Sequence, residues 1–195
     1  MAAHFDAIVI GASAGGIEAL SLLLPALPAT LQAAVAIVQH IPRRRPSLLA
    51  ELFAAKCVLP VHEADDKAPV MPGQVTFAPP DYHLMVDRSM VPPHPAVFAL
   101  SVDEPVHYSR PSIDVLFESA AAVYRQRLLG IVLTGANADG AAGLARIHAL
   151  GGTTWVQAPE TAVAAMMPEA ARRSCPAGRV LTLPEMAHRL AALGA

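Results

Sequence analysis

Three residues in this sequence are of types that work together: Ser13, His40 and Asp139. Ser13 lies in Gly11-Ala12-Ser13-Ala14-Gly15-Gly16, His40 follows the apolar run 35–39, and Asp139 closes Thr134-Gly135-Ala136-Asn137-Ala138-Asp139 before Gly140. A serine hydroxyl becomes a nucleophile when a neutral imidazole takes its proton. The imidazole in turn needs a carboxylate to fix its tautomer and stabilise the imidazolium. Together they would perform acyl transfer. Gly11-x-Ser13-x-Gly15 also matches the nucleophile-elbow pattern, in which small neighbours allow a sharp turn. Helix-terminal N–H groups beside such a serine would stabilise an oxyanion.

Each residue also has a plainer reading. The serine loop would serve as a packing turn with a helix cap, His40 as a loop residue, and Asp139 as a cap before glycine. A dinucleotide fingerprint is disfavoured: Ser13 replaces the glycine that admits a pyrophosphate, and His40 stands where an acidic residue is expected. Joint placement favours catalysis, because all three fall at or just beyond the carboxyl ends of expected parallel strands. The order Ser, His, Asp differs from the Ser, Asp, His order of α/β-hydrolases, so that fold is not implied.

The elements that would position them follow from periodicity. Residues 5–10 are a short β-branched run and read as a buried strand, with Ile17, Leu20, Leu23 and Leu24 following at helical spacing. A second strand at 35–39 and a helix over 46–56 repeat the alternation, which argues for parallel strands joined by crossover helices. Short strand candidates at 61–64, 74–78, 82–86 and 96–100 are separated by Pro- and Gly-rich turns. They read as an antiparallel, hairpin-bearing excursion near 61–101. Ser112 would cap a helix to about Arg127, residues 128–133 are the clearest buried strand, and the Asp139 loop feeds a helix to about Leu150. Strands at 153–157 and 180–181 and helices at 168–174 and from Pro184 complete the pattern. The expected fold is α/β, doubly wound, with a mostly parallel sheet flanked by helices, and residues 1–195 form a single domain.

Composition narrows the function. The 195-residue chain is 54% hydrophobic and 15% charged with a formal net charge of -2, so nothing in the overall charge favours nucleic acid or an anionic membrane. Cys57 and Cys175 lack metal-ligand spacing and fit a cytoplasmic protein. No run is long enough to span a bilayer. His62, His83, His94, His107 and His148 form no ligand pair at helical spacing, so no metal is expected. Arg43, Arg44 and Arg45, just past His40, would attract an acidic substrate.

Four spaced motifs closely resemble the catalytic domain of CheB-type protein-glutamate methylesterases: residues 10–16, Gln39-His40-Ile41-Pro42, Tyr108-Ser109-Arg110-Pro111-Ser112-Ile113-Asp114, and 133–140. The similarity runs in order from about Phe5 to Leu190. It implies hydrolysis of glutamate γ-methyl esters on cytoplasmic chemoreceptor helices with release of methanol, and by the same chemistry glutamine deamidation. Ser13 would be the nucleophile, His40 the base and Asp139 its orienter, with no cofactor and no metal. Ala14, Gly15, Ala136 and Asn137 would form the substrate and oxyanion loops, and Arg110 joins the arginines as a docking residue. The family commonly has Thr where this chain has Ala14, and Met-Gly where it has Ala136-Asn137. These departures leave a second reading, a weakly active or inactive interaction module of the same fold in signalling. The first strand begins within a few residues of Met1. A covering receiver domain is therefore not expected here; the site would be constitutively open, and any control would come from a separate regulatory partner.

Overall fold

The computed structural model describes residues 4–41, 47–90, 92 and 94–194. Seven strands form one sheet: β1 (Ala7–Ala12), β2 (Ala34–Gln39), β3 (Val61–Glu63), β4 (Val75–Phe77), β7 (Leu128–Val132), β8 (Thr153–Gln157) and β9 (Arg179–Leu181). Their order is β3-β4-β2-β1-β7-β8-β9, and every pairing is parallel. The remaining two, β5 (His83–Arg88) and β6 (Ala96–Ser101), form a separate antiparallel pair. Six α-helices flank them: α1 (Gly16–Leu23), α2 (Leu49–Ala54), α3 (Ile113–Tyr124), α4 (Ala141–Ala149), α5 (Met166–Ser174) and α6 (Leu183–Ala191).

The central strands β1, β2 and β7 are apolar apart from Gln39 at the end of β2, because a parallel sheet is covered on both faces. β1 shows the rule: Ile8, Ile10 and Ala12 enter one core, while Ala7 and Val9 enter the other. The first core is closed by Leu20 and Leu23 of α1, Phe53 of α2 and Leu190 of α6. In the second, Ile113 and Phe117 of α3 pack with Leu144 and Ile147 of α4 and with Leu84 and Phe98 of the hairpin.

The antiparallel excursion is smaller than the sequence reading has it. β3 and β4 belong to the main parallel sheet, and only β5 and β6 form the hairpin, which lies against α3. Val75, Thr76 and Phe77 are all buried, with Val75 opposite Val35 of β2. Short strands set between turns look like local hairpins in a sequence, whereas parallel partners are distant and leave no local signal. Strand β1 also runs two residues further than expected, through Gly11 and Ala12. Gly11 is paired on both sides, with Val38 and Val132, and the position takes glycine because Ile113 lies against it: a Cβ there would come within 2.3 Å of Ile113 Cγ2.

From β1 the chain winds outward to one sheet edge, then returns through α3 to place β7 on the other side of β1 before winding outward again. The winding reverses between β1 and β7. Open α/β sheets bind ligands at that reversal, beyond the carboxyl ends of the strands. No helix among the described residues is long and apolar enough to cross a membrane.

Candidate active site

Ser13 and His40 are the residues immediately beyond the last paired positions of β1 and β2, Ala12 and Gln39. The bond from His40 N–H to Ala12 carbonyl, 2.9 Å, is the last rung between these strands. Ser13 N–H donates to Thr134 carbonyl at 2.9 Å, which ties the serine loop to the loop leaving β7. Ser13 is half-buried, and its hydroxyl carries no hydrogen bond among the described residues. The positive φ of the turn falls on Gly15 (φ 78), not on Ser13, so the serine does not occupy the strained elbow conformation that the motif suggests. Gly15 also lies against Val163, and a side chain there would collide with it.

Asp139 is fully buried and accepts four hydrogen bonds. Its Oδ2 takes His40 Nε2 at 2.9 Å and Ile113 N–H at 2.8 Å; its Oδ1 takes Ser112 Oγ at 2.8 Å and Asp114 N–H at 2.9 Å. Burial pushes this carboxyl up. The donors from His40, Asp114 and Ile113 outweigh it and hold the group below the usual carboxylate range. Ionised, it can only accept, so in the neutral imidazole Nε2 carries the proton and Nδ1 the lone pair.

Asp139 does cap a helix, but not the one it precedes. It satisfies the first N–H groups of α3, while Ser112, the expected cap, gives its hydroxyl to Asp139. Asp114, in the first turn of α3, returns the favour by accepting Gly143 N–H of α4 at 2.7 Å. Burial, and then the nearby Asp139 charge, raise the Asp114 carboxyl despite its bond from Gly143 and the neighbouring His107. His107 Nε2 lies 3.3 Å from Asp114 Oδ2. His107, Asp114 and Asp139 form a group that three-ligand metal sites resemble. The four donors on Asp139 are protons aimed at the lone pairs a cation would need, so the group is poorly suited to a metal.

The β7 loop supplies the other wall. Gly135 is pressed against the serine, and a Cβ there would fall 2.9 Å from Ser13 Cβ and 2.6 Å from Met167 Sδ. Ala14 and Ala136 are exposed, and their backbone N–H groups have no acceptor among the described residues. Asn137 Oδ1 accepts Asp139 N–H at 3.1 Å, so the unusual asparagine braces the aspartate. Arg110 turns inward to its own loop, donating from Nη1 to the carbonyls of Val102 and Asp103. Arg43, Arg44 and Arg45 lie outside the described residues.

Three functional candidates escape the sequence reading. Gln39 and Gln157 end β2 and β8 as buried amides, one donating to the carbonyls of Ser13 and His40, the other accepting Thr134 N–H. Thr134 Oγ1 donates to Ala14 carbonyl at 2.8 Å. The signal was present: a glutamine ending an otherwise apolar strand is a polar group that must find a partner. His83, also buried, is structural, accepting Ser112 N–H and facing the Glu104 carbonyl.

A parallel α/β sheet whose adjacent strand ends lead into a serine and a carboxylate-bonded imidazole is a setting that suits a carboxylic ester hydrolase. Comparison with known proteins narrows the class. The family model for CheB methylesterase matches residues 8–190. A putative protein-glutamate methylesterase/protein-glutamine glutaminase of Leptospira interrogans is 42% identical over 184 residues, covering 94% of this chain and 92% of that one. A protein-glutamate methylesterase/protein-glutamine glutaminase 2 of Methanosarcina acetivorans is 40% identical over 191 residues, and this chain spans 53% of its length. The crystal structure of the Thermotoga maritima CheB methylesterase catalytic domain superposes with a TM-score of 0.90 at 31% identity, covering 97% of this chain and 98% of that one. The chain belongs to the CheB methylesterase family.

Proposed function

We propose that this chain hydrolyses glutamate γ-methyl esters on the cytoplasmic helices of chemoreceptors, with Ser13 as nucleophile, His40 as base and Asp139 as its orienter. The observation that carries the reading is the 2.9 Å bond between His40 Nε2 and a fully buried, ionised Asp139. It leaves Nδ1 as the basic nitrogen, one residue past the ladder that also delivers Ser13.

Nδ1 takes the Ser13 proton as Oγ attacks the ester carbonyl. The oxyanion is met by the Ala14 and Ala136 N–H groups, backbone donors that do not depend on the side chains at those positions. The imidazolium then protonates the departing methoxide, releasing methanol and leaving a glutamyl ester on Ser13. Water, deprotonated by the same nitrogen, attacks that ester and frees glutamate and Ser13. A glutamine side chain would follow the same path with ammonia leaving, as the glutaminase part of the relatives' names suggests. Arg43, Arg44 and Arg45 are proposed to draw the acidic substrate helix toward His40, an effect that salt should weaken.

The test is methanol release from methylated receptor membranes, with a fluorophosphonate probe to label Ser13. Release and labelling by the wild type, both lost in Ser13→Ala, are expected. Release that persists in Ser13→Ala would overturn the nucleophile assignment. A folded wild type that neither labels nor releases methanol would favour the interaction-module reading.

A further inference from the structure

Gln39 does something the reaction scheme does not use. Its Nε2 donates to two main-chain carbonyls at once, Ser13 O and His40 O, each at 2.9 Å. The alternative amide orientation would set an oxygen against both carbonyls, so the chemistry of the acceptors fixes the assignment. The residue is only 5% exposed, and its Oε1 is buried with no partner among the described residues. An unpaired buried oxygen is costly and asks for a compensating role. That role is at the other end of the amide. Past the rung from His40 N–H to Ala12 carbonyl the ladder stops, so among the described residues no sheet bond joins Ser13 itself to His40.

We propose that Gln39 is a positioning residue for ester hydrolysis: its amide replaces the missing rung between β1 and β2 and sets how closely His40 Nδ1 approaches Ser13 Oγ. The inference rests on the reading of Ser13 and His40 given above. His40 has no freedom to correct an error, since its other nitrogen is bonded to a carboxylate that three further donors hold in place. The neighbouring Gly16 fits the same picture. A Cβ on Gly16 would lie 2.0 Å from Gln39 Oε1 and 2.8 Å from Ala12 Cβ. An alanine there would displace the amide without altering Gln39 itself.

The experiment uses the full chain with five variants, and follows methanol release, fluorophosphonate labelling and melting temperature. Gln39→Leu should lower kcat and the labelling rate together, by on the order of 10²-fold as small misplacements do, with KM unchanged. Gln39→Glu faces two carbonyls with a carboxylate until it is protonated. Its activity relative to wild type should therefore rise as pH falls, because the neutral acid donates to one carbonyl again. Activity is taken per folded molecule at each pH, because a residue needed only for folding would change the folded fraction with pH and leave kcat per folded molecule flat. Gly16→Ala should reproduce the loss, and combining it with Gln39→Leu should add little further, since both remove the same bridge. A folded Gln39→Leu with wild-type kcat and labelling would overturn the proposal. So would a flat pH ratio for Gln39→Glu, which decides the matter even where Gln39→Leu does not fold. Ser13→Ala separates the two readings. If it stays active, the nucleophile assignment fails; if it is dead while Gln39→Leu is wild-type-like, only the role of Gln39 fails.

Discussion

Asp139 bonds both His40 and the first turn of α3, and its substitution should separate the proposed orienting role from the capping one. In Asp139→Asn the charge that stabilises the imidazolium is gone, and the amide can hold His40 in the wrong tautomer. We expect kcat to fall by on the order of 10⁴, as in serine proteases, with helical circular dichroism retained. Steady-state methanol release measures it. The pH dependence of stability follows from the same side chain. A folded carboxyl held below its ordinary value stabilises fully above that value, near ~4, and the contribution is lost as pH falls through the lower folded value. Asp114, raised by burial, acts oppositely: its contribution is present in acid and is lost as pH rises from the ordinary value to the folded one. Melting temperature followed through the acid range should therefore show a gentler acid loss in Asp139→Asn and a steeper one in Asp114→Asn.

At the scale of elements, α3 and α4 are joined by exchanged caps. Asp139 leads into α4 yet satisfies α3, while Asp114 of α3 satisfies Gly143 of α4. The exchange needs close approach, which is why position 143 is glycine: a Cβ would lie 2.5 Å from Phe117 Cβ and 3.1 Å from Asp114 Cα. Gly143→Ala should force the helices apart and destabilise the protein by about 1–3 kcal/mol, the cost of overpacking. Because the Asp139 loop moves with α4, kcat should fall as well. Urea unfolding and steady-state kinetics on one preparation give both numbers. Stability lost with kcat retained would show that the loop is held independently of this contact.

Across the whole molecule, the face under α3 and α4 carries the Asp139 network, while the opposite face carries α1, which continues from the serine loop, with α6 packed behind it. Phe117 lies under α3 in the core shared with α4, and Met186 lies under α6 in the opposite core; neither is accessible to solvent. Phe117→Ala should cost about 3–5 kcal/mol, and Met186→Ala about 2–5 kcal/mol. The first should lower kcat per folded molecule more, since α3 bonds Asp139 directly whereas α6 reaches the serine loop only through α1. Thermal melts paired with fluorophosphonate titration of active serines check this. Equal kcat losses would mean that the two cores are coupled through the sheet.

Hydrophobic period and turn residues, which are local properties, were enough to read the parallel α/β plan, the order of its elements, Ser13 and His40 as strand-end residues, and Asp139 one loop further on. The motif resemblance named the family before any geometry. Pairing was not legible, because parallel neighbours lie far apart in the chain; β3 and β4 therefore passed for hairpin strands. Hydrogen-bond partners were hidden for the same reason. The sequence shows an aspartate before a helix, but only tertiary structure turns it toward a different helix 25 residues upstream. It shows a glutamine ending each of two strands, VAIVQ and TTWVQ, but a side-chain amide finds its acceptors only once separate loops have been brought within 3 Å of one another.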